Sequence, residues 1–412
     1  METIARSQPS STRPDLRLFA DAPHRLAFLA GAAALLLAMA WWALWLADQR
    51  WHLLGMRAPQ IPAGWAHAVV MLYQVFTPFI FGFLLTVFPR WMNQAPVGPL
   101  GFLPAGGLLL AGYLVTVIGL FAAPPLVIAG MWLTLAGWVY GLVRLAVILW
   151  QDAGRTWHAL SCGFALLLGA TGLALFLAYA HGGDARLAFA SIKLGGFGFL
   201  LPVFFTVCHR MLPFFASCVI PGYRVVRPMP ALALFWAAAF GHVVLELAHA
   251  YAWMWLPDLA LLALGAWLLW HWWPRAPMPG LLAALFLGFA WLPAAMALYA
   301  AQSLWFAATG EFILGRAPLH ALAIGFFGSL LVAMVTRVTL GHSGRPLAMS
   351  RVAWFGFIAV QIVAVTRIVS EFAPGYATWQ ALSAFGWLIA FLPWALRCGW
   401  IWLTPRADGR PG

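Results

Sequence analysis

Apolar runs of about twenty residues recur along the chain, separated by short stretches rich in Pro, Gly and Arg. A run that long and that uniformly apolar has no polar face to offer water, and its length matches the ~20 residues needed to cross the hydrocarbon core of a bilayer. The runs predict twelve transmembrane helices, at approximately 26–47, 64–88, 100–121, 125–150, 157–180, 187–208, 228–252, 256–273, 280–304, 318–340, 351–371 and 376–403. Pro124 and Pro125 leave almost no loop between the third and fourth, and the fourth and twelfth runs are long enough to tilt. The first run follows a polar Arg/Ser/Pro-bearing stretch and precedes no small-residue cleavage site, so it reads as a retained helix and not a signal peptide. The expected organisation is a cytoplasmic N-terminal tail over 1–25, a twelve-helix domain over 26–403 and a cytoplasmic C-terminal tail over 404–412: an all-α, polytopic transmembrane bundle.

Composition supports the same solvent. Of 412 residues, 64% are hydrophobic and only 8% charged, against about 25% charged in soluble domains, whose surfaces must face water. The net charge of +12 would suggest nucleic acid as a partner in a soluble protein. Here the basic residues sit between apolar runs instead of on one amphipathic face, so the expected partner is the lipid bilayer, without nucleic acid. With the N-terminus inside, seventeen of the 23 basic residues fall on the inner side, leaving Arg50, Arg57, Arg186, Lys193, Arg316 and Arg367 outside. The positive-inside rule expects this bias, and one helix missed early in the chain would erase it. Trp41, Trp42, Trp65, Trp91, Trp150, Trp157, Trp272, Trp273 and Trp402 lie near run ends, where interfacial aromatic belts form. The four cysteines include no CxxC pair and read as buried thiols, not disulfides. No internal repeat is evident.

Eleven histidines in so apolar a chain are the chemical anomaly, because an imidazole inside a bilayer is costly unless paired or liganded. Topology sorts them by depth. His67, early in helix two, and His320, early in helix ten, fall near the outer face at similar depth, as two axial ligands of one haem would; His249 falls near that face too. His158, His209, His271 and His342 fall near the inner face, and His242 is mid-helix. His24, His52 and His181 read as boundary residues of little weight. Met71 follows His67 by four residues and shares its helix face, and imidazole with thioether suits haem iron or copper; an interfacial histidine over a packing methionine fits the spacing equally. His242, Glu246 and His249 share a face of helix seven as a metal site or proton relay, with Glu246 read as the only acid well inside a span. Cys208, His209, Arg210 and Met211 place soft ligands, a candidate copper site, at the inner end of helix six. At the end of helix ten, Arg337 and Arg345 flank His342 and suit an anion such as a haem propionate, or form an ordinary positive-inside loop.

From His320 onward, HALAIGFFGSLLVAMVTRVTLGHSGRPL resembles the signature of the NnrS family. HAVVMLYQVFTPFIFGFLLTVFPRW, from His67, is similar to that family's second-helix motif, and RMLPFF, from Arg210 to Phe215, to its sixth-helix motif. Against a family pattern of roughly WHAHEM on helix two, the second His and the Glu fall on Val69 and Val70, so any role of that pair is absent here. The resemblance implies a multi-pass protein of the bacterial inner membrane that binds haem b, and copper at a second site, and acts against nitric oxide or nitrosative stress. The residues it carries over are His67, Met71, Arg210, Met211, His320, Arg337, His342 and Arg345. Two other classes compete. Haem–copper oxidase or nitric oxide reductase subunits also have twelve helices, but the adjacent His-His pair and the close His pair on helix ten that they look to need are missing. A cofactor-free transporter or assembly factor would place Glu246 and Lys193 on a substrate or proton path.

Overall fold

A computed structural model describes residues 13–56, 59, 61–153 and 155–409. Arg6, Arg57 and Arg410 of the charge bias lie outside the described residues, as do the first twelve residues of the N-terminal tail and the last three of the C-terminal one. Among the described residues the chain is helical throughout, and twelve helices are long and apolar enough to cross a membrane. They are α1 (Pro23–Trp51), α2 (Ala63–Trp91), α3 (Leu103–Phe121), α4 (Pro125–Gln151), α5 (Trp157–Ala180), α6 (Ala185–Ser217), α7 (Met229–Leu247), α8 (Tyr251–Trp272), α9 (Gly280–Thr309), α10 (Ala317–His342), α11 (Arg351–Val369) and α12 (Tyr376–Trp402).

The two ends of the chain meet at one end of the bundle. Asp15 N–H donates to Leu403 O at 2.9 Å, and the buried Arg25 guanidinium donates to Trp402 O at 2.8 Å and to Thr404 O at 3.1 Å. We call this the terminal end and the other the distal end. Even-numbered helices run from distal to terminal.

Three helices, α2, α6 and α10, form the axis. The most apolar stretches of α2 and α10 are more buried than those of the other spans, and α6 is buried almost continuously from Gly195 to Pro213. Each axial helix contains a widened π-turn: Met71–Val75, Leu194–Leu200 and Ala321–Gly328. Proline explains two of them. Pro78 and Pro202 lack an N–H and crowd the carbonyl four residues back, so the helix opens just before them. In α10 the cause is packing: Gly325 lies under the indole of Trp291 from α9, where a Cβ would strike the ring. Gly172 and Gly195 make the same kind of room for Tyr73, whose hydroxyl crosses from the α2 π-turn to donate to Ser191 O at 2.7 Å. Phe76 and Phe204, just past their π-turns, and Phe327, within its own, close around the axis, with ring centroids 4.8 to 6.0 Å apart.

α3 and α4 form a tight pair against α2. Gly112 and Gly130 let the two backbones approach, and Thr116 and Thr134 accept from the buried Gln74 amide of α2 at 2.9 and 2.8 Å. Several tryptophans expected in interfacial belts are core residues instead. Trp41, Trp272 and Trp402 are fully buried, and the latter two donate their indole N–H to Val226 O and Thr339 Oγ1. A rim position in sequence is thus not a rim position in space once neighbouring helices extend past it. Cys162, Cys208 and Cys398 are buried thiols as expected, while Cys218 is exposed.

Candidate functional site

At the distal end, α2 and α10 bring His67 and His320 within electrostatic reach of each other, and Arg316 and Arg367 within reach of both. His67 stacks face to face on Trp42, centroids 4.3 Å apart and planes 10° apart. Neither of its ring nitrogens has a hydrogen-bond partner among the described residues. His320 Nδ1 lies 2.9 Å from Arg316 O, one turn back, which fixes Nδ1 as the donor and leaves Nε2 free. An imidazole held through one nitrogen and open at the other is the arrangement a metal-ligating histidine adopts. Each ring sits just before the π-turn of its helix, and such turns recur at functional sites. Met71 opens the α2 π-turn one turn after His67 and is half-buried.

At the terminal end the site includes a residue that its place at the edge of a run left with little weight. His24 of α1 is buried, its ring 4.8 Å from that of His342 of α10, and its Nδ1 has no partner. His342 Nδ1 lies 3.0 Å from Val338 O, and its Nε2 lies 3.1 Å from Arg90 Nη1. Because Arg90 can only donate, that nitrogen is the acceptor. Arg210 stacks over Trp91 at 4.5 Å and Arg337 over Phe215 at 3.7 Å, so with Arg90 each axial helix carries an arginine towards this end. Arg345 does not join Arg337 and His342; it turns towards α12. α10 ends at His342, two residues past the expected 340, with Gly344 beyond it at φ +65°.

On the terminal side of the π-turns, between the axial helices, lies an apolar slot of about 60 Å³. Its walls are Phe79, Ile80 and Phe83 of α2, Val203, Phe204, Val207 and Cys208 of α6, residues from Leu330 to Val338 of α10, and Phe28 of α1. No polar surface lines it.

Two further polar centres lie off the axis. His158 Nε2 and His209 Nδ1 are 2.9 Å apart, and His209 Nε2 is buried without a partner. His209 and Arg210 point to different neighbours, as expected of adjacent helix positions. The second centre corrects the reading of helix seven. α7 stops at Leu247, and His249 follows with φ +54°, exposed to Tyr251, so it does not share a face with His242. His242 instead bonds Asp258 of α8, Nδ1 to Oδ1 2.6 Å, with Ser303 of α9 donating to Asp258 Oδ2 at 2.9 Å. Its Nε2 lies 3.5 Å from Glu246 Oε2, and Glu246 is paired with Lys193 of α6. Asp258 is fully buried, so Glu246 is not the only acid inside a span. The signal was available: an aspartate one turn into an apolar run. It resembled an ordinary helix-start carboxylate at the water's edge. The ring of His242 also stacks on Phe197, in the α6 π-turn, at 3.7 Å. Among the described residues, no three His, Cys, Asp or Glu side chains converge as a metal cage.

Fold and site together define a twelve-span helical membrane protein built on a three-helix axis with paired histidines at either end. The sequence matches the NnrS protein family over residues 18–406, and the chain belongs to the NnrS family. No curated protein matches it.

Proposed function

We propose that this protein binds haem b at its distal end through His67 and His320 and meets nitric oxide there as part of a response to nitrosative stress. The observation carrying the proposal is the approach of these two rings from separate helices, each beside a π-turn, with His320 held through Nδ1 alone. The residues fit the group: two imidazoles with unclaimed nitrogens suit haem iron, and Arg316 suits its carboxylates, whereas the neighbouring Arg367 is already paired with Glu371. The axial slot does not fit it. At about 60 Å³ it is far below the ~300 Å³ of the smallest drug-sized pockets. It suits a diatomic gas, since a wholly apolar void stays dry and takes small apolar guests. Haem, held by His67 and His320, would supply a redox-active iron. The protein's own groups hold and orient that iron, exclude water from the slot and admit the gas from the bilayer. Copper, the second part of the family expectation, has the orphaned Nε2 of His209 beside His158 as its support.

The test is the oxidised and reduced absorption spectrum of detergent-purified protein, with iron and copper measured on the same sample. Near-stoichiometric iron with a b-type spectrum is expected, and the double variant His67→Ala, His320→Ala should lose most of the haem. Full haem with an unaltered spectrum in that variant would remove the ligand assignment. His209→Ala should lower copper and leave iron unchanged.

A second reading, transport or assembly without a cofactor, is favoured by one observation. Lys193, half-buried, and the buried Glu246, His242, Asp258 and Ser303 line up across four helices, with one 3.5 Å step between Glu246 and His242, as on proton or substrate paths. Under that reading the protein purifies colourless from haem-replete cells.

A further inference from the structure

At the terminal end, away from the axial histidines, α10, α11 and α12 enclose a cavity of about 150 Å³. Its polar wall consists chiefly of donors. Arg345 and Arg397 both line it, and neither makes an ion pair among the described residues. Burial, and after it the Arg397 guanidinium on the same wall, lowers the Arg345 pKa. Arg345 spends one amino group on a long 3.5 Å contact to Thr404 Oγ1, and its other amino group, Nη1, is buried with no partner. Asp408, which lies against Gly344, pairs with Arg406. Thr336 and Thr339 also line the cavity. Each hydroxyl oxygen already accepts an indole N–H at 2.9 Å, from Trp394 and Trp402, which leaves each hydroxyl hydrogen to be donated. Two like charges held together with an orphaned buried N–H are costly unless an anion joins them.

The same arginines line a wider, open concavity with Leu396, Trp400 and Ile401. Leu396 and Trp400 are more than half exposed on the lipid-facing side of α12. An anion reaching the cavity along that wall is therefore accompanied by an apolar tail. We propose that this is a phosphate site for the headgroup of an anionic phospholipid in the leaflet at the terminal end, its acyl chains lying against Leu396 and Trp400. Basic pockets between spans at one membrane face take such headgroups.

The full-length protein would be purified in mild detergent, and bound phospholipid counted by native mass spectrometry after exchange with phosphatidylglycerol or phosphatidylcholine. Wild type should retain phosphatidylglycerol, and Arg345→Gln with Arg397→Gln should lower retention about tenfold, as expected for lost charge-assisted hydrogen bonds. Arg397 is exposed, so Arg397→Gln alone should fold and still weaken retention. Equal retention by wild type and both variants, or equal retention of the zwitterionic lipid, overturns the proposal. Thermal stabilisation by inorganic phosphate, with none from phosphatidylglycerol, assigns the site to a free anion and overturns the lipid source. Loss of haem with unchanged lipid in the arginine variants overturns it in favour of a cofactor carboxylate. The lipid count does not depend on haem, so the haem assignment can fail while this one stands.

Discussion

Single residues carry most of the polar energy in this protein, because lipid offers an unpaired group no substitute partner. His242 shows the effect: Asp258 and Ser303 hold it on one side and Glu246 with Lys193 on the other. Asp258→Asn removes one charge and leaves the rest buried, so it should cost about 3–5 kcal/mol, read as a lowered melting temperature in detergent. Ser303→Ala deletes one hydrogen bond to the same carboxylate and should cost about 1–3 kcal/mol. The equality of the two effects would mean that Asp258 is not acting as a buried anion. Depth along numbered helices put His67 and His320 at the same end of the bundle. It could not find His24, which sits at the start of α1 and meets His342 only because α1 packs beside α10's terminal end.

The π-turns belong to the scale of elements. A helix advances about 100° per residue, so a widened turn resets which side chains face the axis on either side of it. His67 and His320 each precede such a turn, and their orientation depends on it. Gly325→Leu would drive a side chain into the Trp291 ring, whose indole already donates to Gln361 Oε1 at 2.6 Å. Overpacking of this kind costs about 1–3 kcal/mol. We expect a lowered melting temperature together with a shifted haem spectrum; Gly107→Leu, where nothing stands within 4 Å of an added Cβ, should change neither. Pro78 and Pro202 are the visible sequence sign of two π-turns. The third has none, because a ring from another helix makes it.

For the whole molecule, the pairing of both termini at one end follows from an even number of spans, and the arginine bias expects that end in the cytoplasm. A reporter fused after residue 409 should therefore fluoresce as a cytoplasmic green fluorescent protein and be inactive as alkaline phosphatase. The opposite pattern would invert the topology and place the arginine pair of Arg345 and Arg397 on the outer leaflet.

Sequence by itself determined the twelve spans, the class of fold and the family, because a bilayer tests each segment separately: it must be apolar and long enough wherever it later packs. Span ends came within a few residues in most cases, and the clearest misses had local causes. α6 runs on to Ser217 past Arg210, and α7 stops at Leu247, five residues early, where His249 takes a left-handed backbone. Tertiary structure alone decided which three helices form the axis and which histidines meet. It also paired Asp258 with His242 and turned Arg345 away from Arg337. Those choices depend on contacts between residues tens to hundreds of positions apart, made by glycine-sized gaps and ring stacking that leave no period in the chain.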